Sequence, residues 1–298
     1  MTLRLATRRS PLALIQARSI QARLAAKGVV SELVEVDTKG DQHRDTPLSE
    51  MGGQGVFALE VQASVLRGEA DVAVHSAKDL PSQTMAGLSL VCVPERLDAS
   101  DVLVGRSLAG LGPGATVATG SPRRRALLLA RRPDLNIVEL RGNMARRLDQ
   151  VGNNGVDAIV SAVAALARLG FADKIAERLD PDWFTPQVGQ GALALETRAD
   201  DYASIELLNT IDDTVAHQAL LAERAFLREL GLGCTIPAGA WAQASGSEWK
   251  IRAVMLSTDG STTLRSEQSG ADPEILGRNA AIDLRDTQGG ANLPGWKL

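Results

Sequence analysis

Three stretches of the sequence contain residues whose types and spacing can do chemistry. The first is TGSPRRRALLLARR at 119–132, which is rich in arginine. The second is HSAKD at 75–79, which contains a histidine, a lysine and an aspartate, and the third is LGLGCTIPAG, which contains a cysteine. Guanidinium groups bind carboxylates or phosphates through paired hydrogen bonds, and a carboxylate can stabilise a cation or move a proton. The glycines and Pro237 around Cys234 predict an irregular, accessible loop, which by itself indicates no function.

The arginines of 119–132 have the wrong sign for their position. Ser121-Pro122 predicts the start of a helix, where the dipole is positive and the N–H groups favour anions. Residues 123–147 contain eight arginines and two acidic residues. One interpretation is a solvated face paired with acids elsewhere. The other is an anionic ligand, and because no phosphate-binding glycine loop is present, a ligand with several carboxylates fits at least as well as phosphate.

The HSAKD segment follows the strand-like stretch DVAV. That strand would deliver His75, Ser76, Lys78 and Asp79 to its end, where active-site groups are often found. The alternative is a packed imidazole with a surface ion pair. The histidines at 43, 75 and 217 have no metal-ligand spacing, so no metal site is predicted.

Strand and helix patterns alternate from the start, which predicts an α/β protein. LATRRSPLAL near residue 5 resembles VATGSPRRRALL near 117, and GEADVAVHSA resembles NGVDAIVSAV, so that Asp71 matches Asp157 and Val74 matches Val160. Two matches in the same order predict two domains of related topology with a ligand in the cleft between them.

Other elements follow from local patterns. We predict helices from Pro11 to about Lys27, from about Val56 to Arg67, over AHQALLAERAFLREL and near 273–285. We predict strands over LRLAT, SELVEVDT, GLSLVCVP, GQGALALE, WKIRAVML and TTLRSE. A long loop is predicted over 39–55.

Composition narrows the class of protein. The chain has 298 residues, 44% hydrophobic residues and a net charge of −4, and it has no apolar run long enough to span a membrane. Arginines 4, 8, 9 and 18 interrupt any signal-peptide core, so we predict a cytoplasmic protein without disulfides. Cys92, within an apolar strand, is expected to be an inert core thiol.

Seven motifs in order carry a resemblance to a known family: TRRSPLAL, GEADVAVHSAKDLP, TGSPRRR, ELRGNMARRL, DAIVSAVAALARLGF, VGQGALALE and LGLGCTIPAGA. Together they resemble porphobilinogen deaminases (hydroxymethylbilane synthases), from residue 3 to about 245. The resemblance implies a transferase of tetrapyrrole (haem) biosynthesis. It joins four porphobilinogen molecules head to tail, releases ammonia and builds on a covalent dipyrromethane cofactor.

The resemblance also implies an architecture. It comprises two related periplasmic-binding-protein-like α/β domains flanking a cleft and a smaller C-terminal α+β domain that anchors the cofactor. The expected domains are 1–94 with 191–210, 97–187, and 213–298. A hinge would lie between the first two, and the protein would be a monomer.

Residue roles are implied position by position. Asp79 matches the catalytic aspartate, and Cys234 matches the thioether anchor of the cofactor. Further cofactor contacts are expected at Ser76, Lys78, Ser121, Arg123 and Arg124. Substrate contacts are expected at Arg8, Ser10, Phe57, Arg141, Arg147 and Gln190. Gln54 stands where many members have lysine, which removes one expected carboxylate contact.

Two other functions are consistent with parts of the sequence. A non-catalytic binder of an acidic ligand explains the arginines but gives no use to Cys234 or Asp79. A nucleic-acid-binding protein would use the basic stretch 123–147, but the acidic total and the 3% aromatic content disfavour it.

Overall fold

The first sheet joins strands from two distant parts of the chain. The computed structural model describes residues 2–38, 58–231 and 236–296. In spatial order, the sheet contains β2 (Ser31–Val36), β1 (Leu3–Arg8), β3 (Val72–Ser76), β10 (Leu193–Arg198) and β4 (Leu88–Cys92). β1 is parallel to β2 and β3, whereas β10 is antiparallel to both of its neighbours. The predicted return of GQGALALE to the first part of the chain is therefore confirmed.

The second sheet repeats this order with different strands. It contains β7 (Asn136–Val138), β6 (Thr116–Ala118), β8 (Ala158–Ala162), β5 (Asp101–Val104) and β9 (Ile175–Arg178). β6 is parallel to β7 and β8, and β5 is the antiparallel fourth strand. The α/β class and the related topology of two domains are confirmed. We term the first sheet with its helices the first domain, and the second sheet with its helices the second domain.

Equivalent aspartates mark the repeat in atomic detail. The Asp71 carboxylate accepts a 2.9 Å hydrogen bond from the Arg4 backbone N–H, and Asp157 accepts one of 2.9 Å from the Thr116 N–H. Asp71 directly precedes β3 and is bonded to the neighbouring strand β1. Asp157 directly precedes β8 and is bonded in the same way to the neighbouring strand β6. The predicted match of Asp71 with Asp157 is confirmed.

Within the described part of the first two domains, six α-helices accompany these sheets. They are α1 (Pro11–Ala25), α2 (Leu59–Leu66) and α6 (Tyr202–Asn209) in the first domain, and α3 (Pro122–Arg131), α4 (Met144–Leu148) and α5 (Val163–Arg168) in the second. The hydroxyls of Ser10 and Ser121 accept from the backbone N–H groups of Ala13 and Arg124, so both predicted helix starts are confirmed. α6 is an element that the sequence patterns did not predict.

The remaining part, termed the third domain, is an antiparallel sheet covered by two helices. Its elements are α7 (Thr214–Leu230), β11 (Ala238–Ser245), β12 (Glu248–Leu256), β13 (Thr263–Gly270) and α8 (Pro273–Ile282). α7 ends at Gly231, whose φ of 66° is the left-handed conformation that glycine adopts at low cost. The predicted last helix ends earlier than expected and continues as a short π-helical turn over Asp283–Thr287.

The third domain packs against both others. Val254 and Leu256 of β12 belong to the hydrophobic core of the second domain. Ala216 and Leu220 of α7 pack with Leu80 and other apolar residues of the first domain. The apolar contacts therefore fix all three domains around one junction.

Two further sequence-based expectations concern burial and membranes. Cys92 is fully buried, and burial raises the pKa of its thiol, so this cysteine is an inert core residue as predicted. Among the described residues, no helix is both long and apolar enough to cross a membrane.

Candidate active site

The cleft between the first two domains contains two adjoining cavities. The larger, with about 520 Å³ of empty space partly open to solvent, lies at the three-domain junction. Its lining includes Lys78, Ser121, Arg123, Arg224 and Ile236. The smaller, of about 290 Å³, is bordered by Gln16, Ser76, Lys78, Arg168 and Gln190. Lys78 borders both cavities, so the two are parts of one site.

Arg123 and Arg124 already share an anion inside the protein. Asp101, the first residue of β5, accepts from Arg123 Nη2 at 2.7 Å through Oδ2. Its Oδ1 accepts from Arg124 Nη2 at 2.6 Å and from Nε at 2.9 Å. The interpretation of a solvated face does not apply to these two arginines, because they are only 2% and 8% exposed.

Backbone carbonyls complete part of this cluster. Arg123 Nη1 donates to the Thr185 carbonyl at 2.6 Å, and Arg124 Nη1 donates to the Val160 carbonyl at 3.1 Å. The Arg123 Nε is buried and has no hydrogen-bond partner among the described residues. Since Arg123 borders the larger cavity, this donor is placed to meet an acceptor from a ligand.

Burial and charge oppose each other at Asp101. Burial acts to raise the pKa of Asp101, but the two arginines and the hydrogen bonds outweigh it, so its pKa lies below its usual value. Burial lowers the pKa of Arg123, and Asp101 counters that effect. The cluster therefore holds one anion and two cations and has an excess positive charge.

Gln190 is the third partner of Asp101. Its Nε2 donates to Asp101 Oδ1 at 3.0 Å and to the Ala99 carbonyl at 2.6 Å, while its Oε1 accepts from Arg124 at 3.3 Å. Gln190 is fully buried although it borders the smaller cavity. Its side-chain amide is occupied by the cluster, so substrate contact by Gln190 stays a prediction.

The first domain supplies a lysine and a carboxylate at the end of β3. That strand ends at Ser76, and a 3-10 turn over Ala77–Asp79 carries Lys78 and Asp79. Burial, reinforced by the charge of Arg124, lowers the pKa of Lys78 to about 8 despite the opposing effect of Asp79. Lys78 is therefore a cation whose charge depends on pH near neutrality.

Arg147 links Asp79 to the second domain. Burial lowers the pKa of Arg147, as do the charges of Arg124 and Arg141, whereas Asp79 raises it. Arg147 Nε donates to the Gly142 carbonyl at 2.8 Å, which fixes the side chain from within its own turn. The charges of Asp79 and Arg147 therefore act on each other across the boundary between the two domains.

Other predicted site residues occupy the edges of the cleft. Arg141 forms a 2.9 Å ion pair with Glu139 and is partly exposed. Ser10 caps α1, and Arg8 ends β1 next to it. Ser76 Oγ accepts from Gln16 Nε2 at 2.7 Å. The structure thus places Arg8 and Ser76 at strand ends and Ser10, Ser121, Arg123 and Arg124 at helix starts, whereas Arg147 lies within α4 and Gln190 lies between β9 and β10. Phe57, Gln54 and Cys234 lie outside the described residues.

Sequence reasoning did not identify Gln16, Arg168 and Arg224, which border the cavities, or the buried Asp101. Gln16 lies in α1, six residues after the capping Ser10. Arg168, at the end of α5, donates to the Gly191 carbonyl at 2.9 Å, and burial lowers its pKa to about 10. Arg224 is 2% exposed, and its hydrogen bonds to described residues are long, at 3.4 and 3.5 Å. One feature of the sequence could have indicated Asp101. An acidic residue begins the apolar strand DVLV, close to the expected domain boundary at 94–97.

Known proteins similar to this chain were found by family model and by sequence. The model "Porphobilinogen deaminase, dipyromethane cofactor binding domain" matches residues 3–206, and "Porphobilinogen deaminase, C-terminal domain" matches 217–286. The porphobilinogen deaminase of Acidothermus cellulolyticus is 43% identical, with 95% of this chain and 88% of that one covered. That of Roseiflexus is 42% identical, with 99% of both covered.

Among solved structures, the methionine-binding protein MetQ matches at 17% identity and a TM-score of 0.44, covering 73% of this chain and 90% of that one.

Proposed function

Because the chain belongs to the porphobilinogen deaminase family, we propose that the cleft between its first two domains is where porphobilinogen units are joined. The family activity is the head-to-tail polymerisation of four porphobilinogen molecules with release of ammonia, giving hydroxymethylbilane. The observation that carries the assignment to this cleft is that Lys78 of the first domain and Arg123 of the second border one cavity. The charges of Asp79, Arg124 and Arg147 all act on Lys78.

The second domain binds carboxylates in this proposal. Each porphobilinogen carries an acetate and a propionate, so the lengthening chain accumulates negative charge. Arg123 offers a buried, unused Nε donor, and the Arg123–Asp101–Arg124 cluster keeps an excess positive charge. Charge-assisted hydrogen bonds to guanidinium are about twice as strong as neutral ones. Lys78, Ser76 and Ser121 complete the cofactor-binding set, and Arg8, Ser10, Phe57, Arg141, Arg147 and Gln190 the substrate-binding set.

Asp79 is the catalytic residue in this proposal. When the aminomethyl carbon–nitrogen bond of porphobilinogen breaks, ammonia leaves and the pyrrole nitrogen shares the positive charge. A carboxylate near that N–H stabilises the cation, and it can accept the proton released when the new carbon–carbon bond restores the pyrrole ring. Asp79 is half-buried, and its charge acts to raise the pKa of both Lys78 and Arg147.

Cys234 is the proposed anchor of the dipyrromethane cofactor. When bound, this group supplies the terminal pyrrole carbon to which the first substrate unit is joined. The donors around the larger cavity suit its carboxylates, and Ile236, two residues after Cys234 in the chain, borders that cavity. The anchor would therefore start next to the arginines that hold the group.

The organisation around the site is also part of the proposal. The domain division is 1–94 with 191–210, 97–187, and 213–298, with crossings near 95 and 189 forming the hinge. We further propose that the protein acts as a monomer in the cytoplasm. Equilibrium sedimentation of the purified protein at micromolar concentrations tests the monomer.

Intact-mass measurement tests the anchor directly. The wild-type protein is expected to carry additional mass equal to two linked pyrrole units, and Cys234→Ala is expected to lack it. Cys92→Ala is the matched control, since the chain has two cysteines and Cys92 is buried in the first core. A bare wild-type polypeptide that is fully active would contradict the proposal, and so would a mass addition that survives Cys234→Ala.

A further inference from the structure

The repeat shows which charges of the second domain its framework does not need. In the first sheet, Leu193 lies opposite Ser76, five residues after Asp71. In the second sheet, Asp101 lies opposite Ala162, five residues after the equivalent Asp157. Asp101 and Leu193 therefore occupy the same place in two copies of one fold.

Arg123 and Arg124 also stand where the first domain has apolar residues. Pro11 and Pro122 each follow a capping serine and open the equivalent helices α1 and α3. The next two positions are Leu12 and Ala13 in the first domain but Arg123 and Arg124 in the second. Leu12 and Ala13 are partly buried, and Leu193 is nearly fully buried. One copy of the fold thus fills these three places with apolar residues, and the other fills them with an ionic cluster.

The substitution of charge for apolar packing has a cost. Moving three charges out of water is expensive, and well-packed apolar residues at such places are often as stable or more stable. Since the first domain forms the same strand order without these charges, folding alone does not account for them. A ligand-directed role does.

We propose that Asp101 is a positioning residue that holds Arg123 and Arg124 in register for the ligand carboxylates, an inference that rests on the proposed function. Its two oxygens take different arginines: Oδ2 binds Arg123, and Oδ1 binds Arg124. Each guanidinium is then fixed at a second point by a carbonyl, of Thr185 or Val160. The fork of Arg123 is set with its Nε left for the ligand.

Gln190 fixes Asp101 in turn. Because its amide donates to Asp101 and accepts from Arg124, it sets the angle of the carboxylate as well as its position. Gln190 and Ala99 belong to the two crossings between the domains and are joined by a 2.6 Å hydrogen bond. The Gln190 side chain therefore links the two crossings to Asp101 and Arg124.

The test separates charge from position. Cofactor-free protein is prepared in cells that cannot make porphobilinogen and is then given saturating porphobilinogen, and the gain of two pyrrole units is followed by intact mass. Asp101→Glu keeps the negative charge but moves it by one methylene. We expect loading to slow at least about tenfold, because displacing a binding group by about 1 Å has effects of this order or larger. The unfolding midpoint of the cofactor-free protein should stay near that of the wild type.

Asp157→Glu is the matched control. It lengthens the aspartate just before β8, whose carboxylate accepts from the Thr116 backbone N–H instead of from Arg123 and Arg124. Its loading rate should stay within about twofold of wild type. Asp101→Asn, which removes the charge, should impair both loading and stability, because two buried arginines lose their counter-ion.

Each outcome has one meaning. Wild-type loading by Asp101→Glu, or equal slowing by Asp157→Glu, overturns the positioning role. If Asp101→Glu does not fold, Gln190→Met decides. It keeps the Asp101 charge, and its maximal loading rate should fall about threefold or more as the carboxylate loses its support. Unchanged maximal loading in Gln190→Met then overturns the inference. Failure of the wild type itself to gain pyrrole mass contradicts the proposed function instead.

Discussion

The first two domains use one framework to carry opposite halves of a site. In the first domain, the chemistry lies after the third strand of the framework, where Ser76, Lys78 and Asp79 stand. The equivalent places in the second domain hold Ala162, Ala164 and Ala165. The second domain instead carries its charges at the helix start after β6.

This division shows how a repeated fold acquires an asymmetric function. The ends of equivalent strands face one cleft, so either copy can place groups there. In the proposed function, the arginines on one side bind the anionic chain, and the Asp79 carboxylate on the other side stabilises the cation that forms during reaction. If each domain carried both the arginines and the aspartate, a second aspartate equivalent to Asp79 would compete with the ligand for the arginines.

The strongest test makes the second domain resemble the first. The triple variant Asp101→Leu, Arg123→Leu, Arg124→Ala installs the residues found at Leu193, Leu12 and Ala13. We expect it to fold, with an unfolding midpoint of the cofactor-free protein at or above wild type, because apolar residues replace a buried ionic cluster. It should acquire no cofactor and show no turnover.

Calorimetry measures the unfolding midpoint of the triple variant, and intact mass measures whether it carries the cofactor. A triple variant that fails to fold would show that the ionic cluster is needed for the framework itself. Normal cofactor acquisition would show that the carboxylates are held elsewhere.

The second test removes the charge on the opposite side. Asp79→Asn keeps the size of the side chain but not its ability to stabilise a cation, so turnover of cofactor-loaded protein should fall at least about 100-fold. Asp173→Asn, at an exposed position paired with Lys174, serves as control and should be neutral. Wild-type turnover by Asp79→Asn would remove Asp79 from the mechanism.

The third test ranks the arginines of α3. Arg123→Leu or Arg124→Leu should slow cofactor acquisition by about tenfold or more, since each loses a charge-assisted contact that the site needs. Arg125 is exposed and donates to the Ile137 carbonyl. Arg125→Leu should therefore leave acquisition unchanged and alter the free energy of unfolding by no more than about 0.5 kcal/mol. Equal losses at all three positions would contradict this ranking.

The smallest expected effect concerns Lys78 and pH. Its folded pKa of about 8 means that its positive charge is lost as the pH rises through 8. Cofactor acquisition by the cofactor-free protein should fall by a few fold over this range, and Lys78→Arg should abolish that fall because arginine keeps its charge. Initial rates between pH 7 and about pH 9 measure this.

Linkage gives an independent check on Lys78. Between pH 8 and the usual lysine value of 10.5, the unfolded chain binds the proton that the folded protein has lost. The stability of the cofactor-free protein should therefore gain a contribution from Lys78 as the pH rises across that window. In Lys78→Met, this contribution should be absent.

The sequence predicted the framework well because its signals were local. Ser10-Pro11, Ser121-Pro122 and Gly231 mark helix ends through hydrogen bonds and backbone angles within a few residues. The repeat was visible because Asp71 and Asp157 precede equivalent strands. Short strands such as β7 and β9 carry too few residues to form a pattern.

The site was only half predictable for the opposite reason. The sequence identified Arg123 and Arg124 as cations without an anion, but it did not identify Asp101, which lies 22 and 23 residues earlier. Their contact exists because β5 enters the second sheet as its antiparallel fourth strand. No local pattern encodes that pairing, so the internal anion is visible only once the topology is known.

The position of β10 has a consequence for how the protein is made. The second sheet is complete when the chain reaches Arg178, whereas the first sheet lacks the strand between β3 and β4 until Arg198 has been synthesised. On the ribosome, the arginine-bearing domain can therefore close before the aspartate-bearing one, although it begins later in the chain. Until then, β4 has no partner in its sheet, so a chain arrested near residue 190 should resist protease over about 97–187 and be cleaved before it.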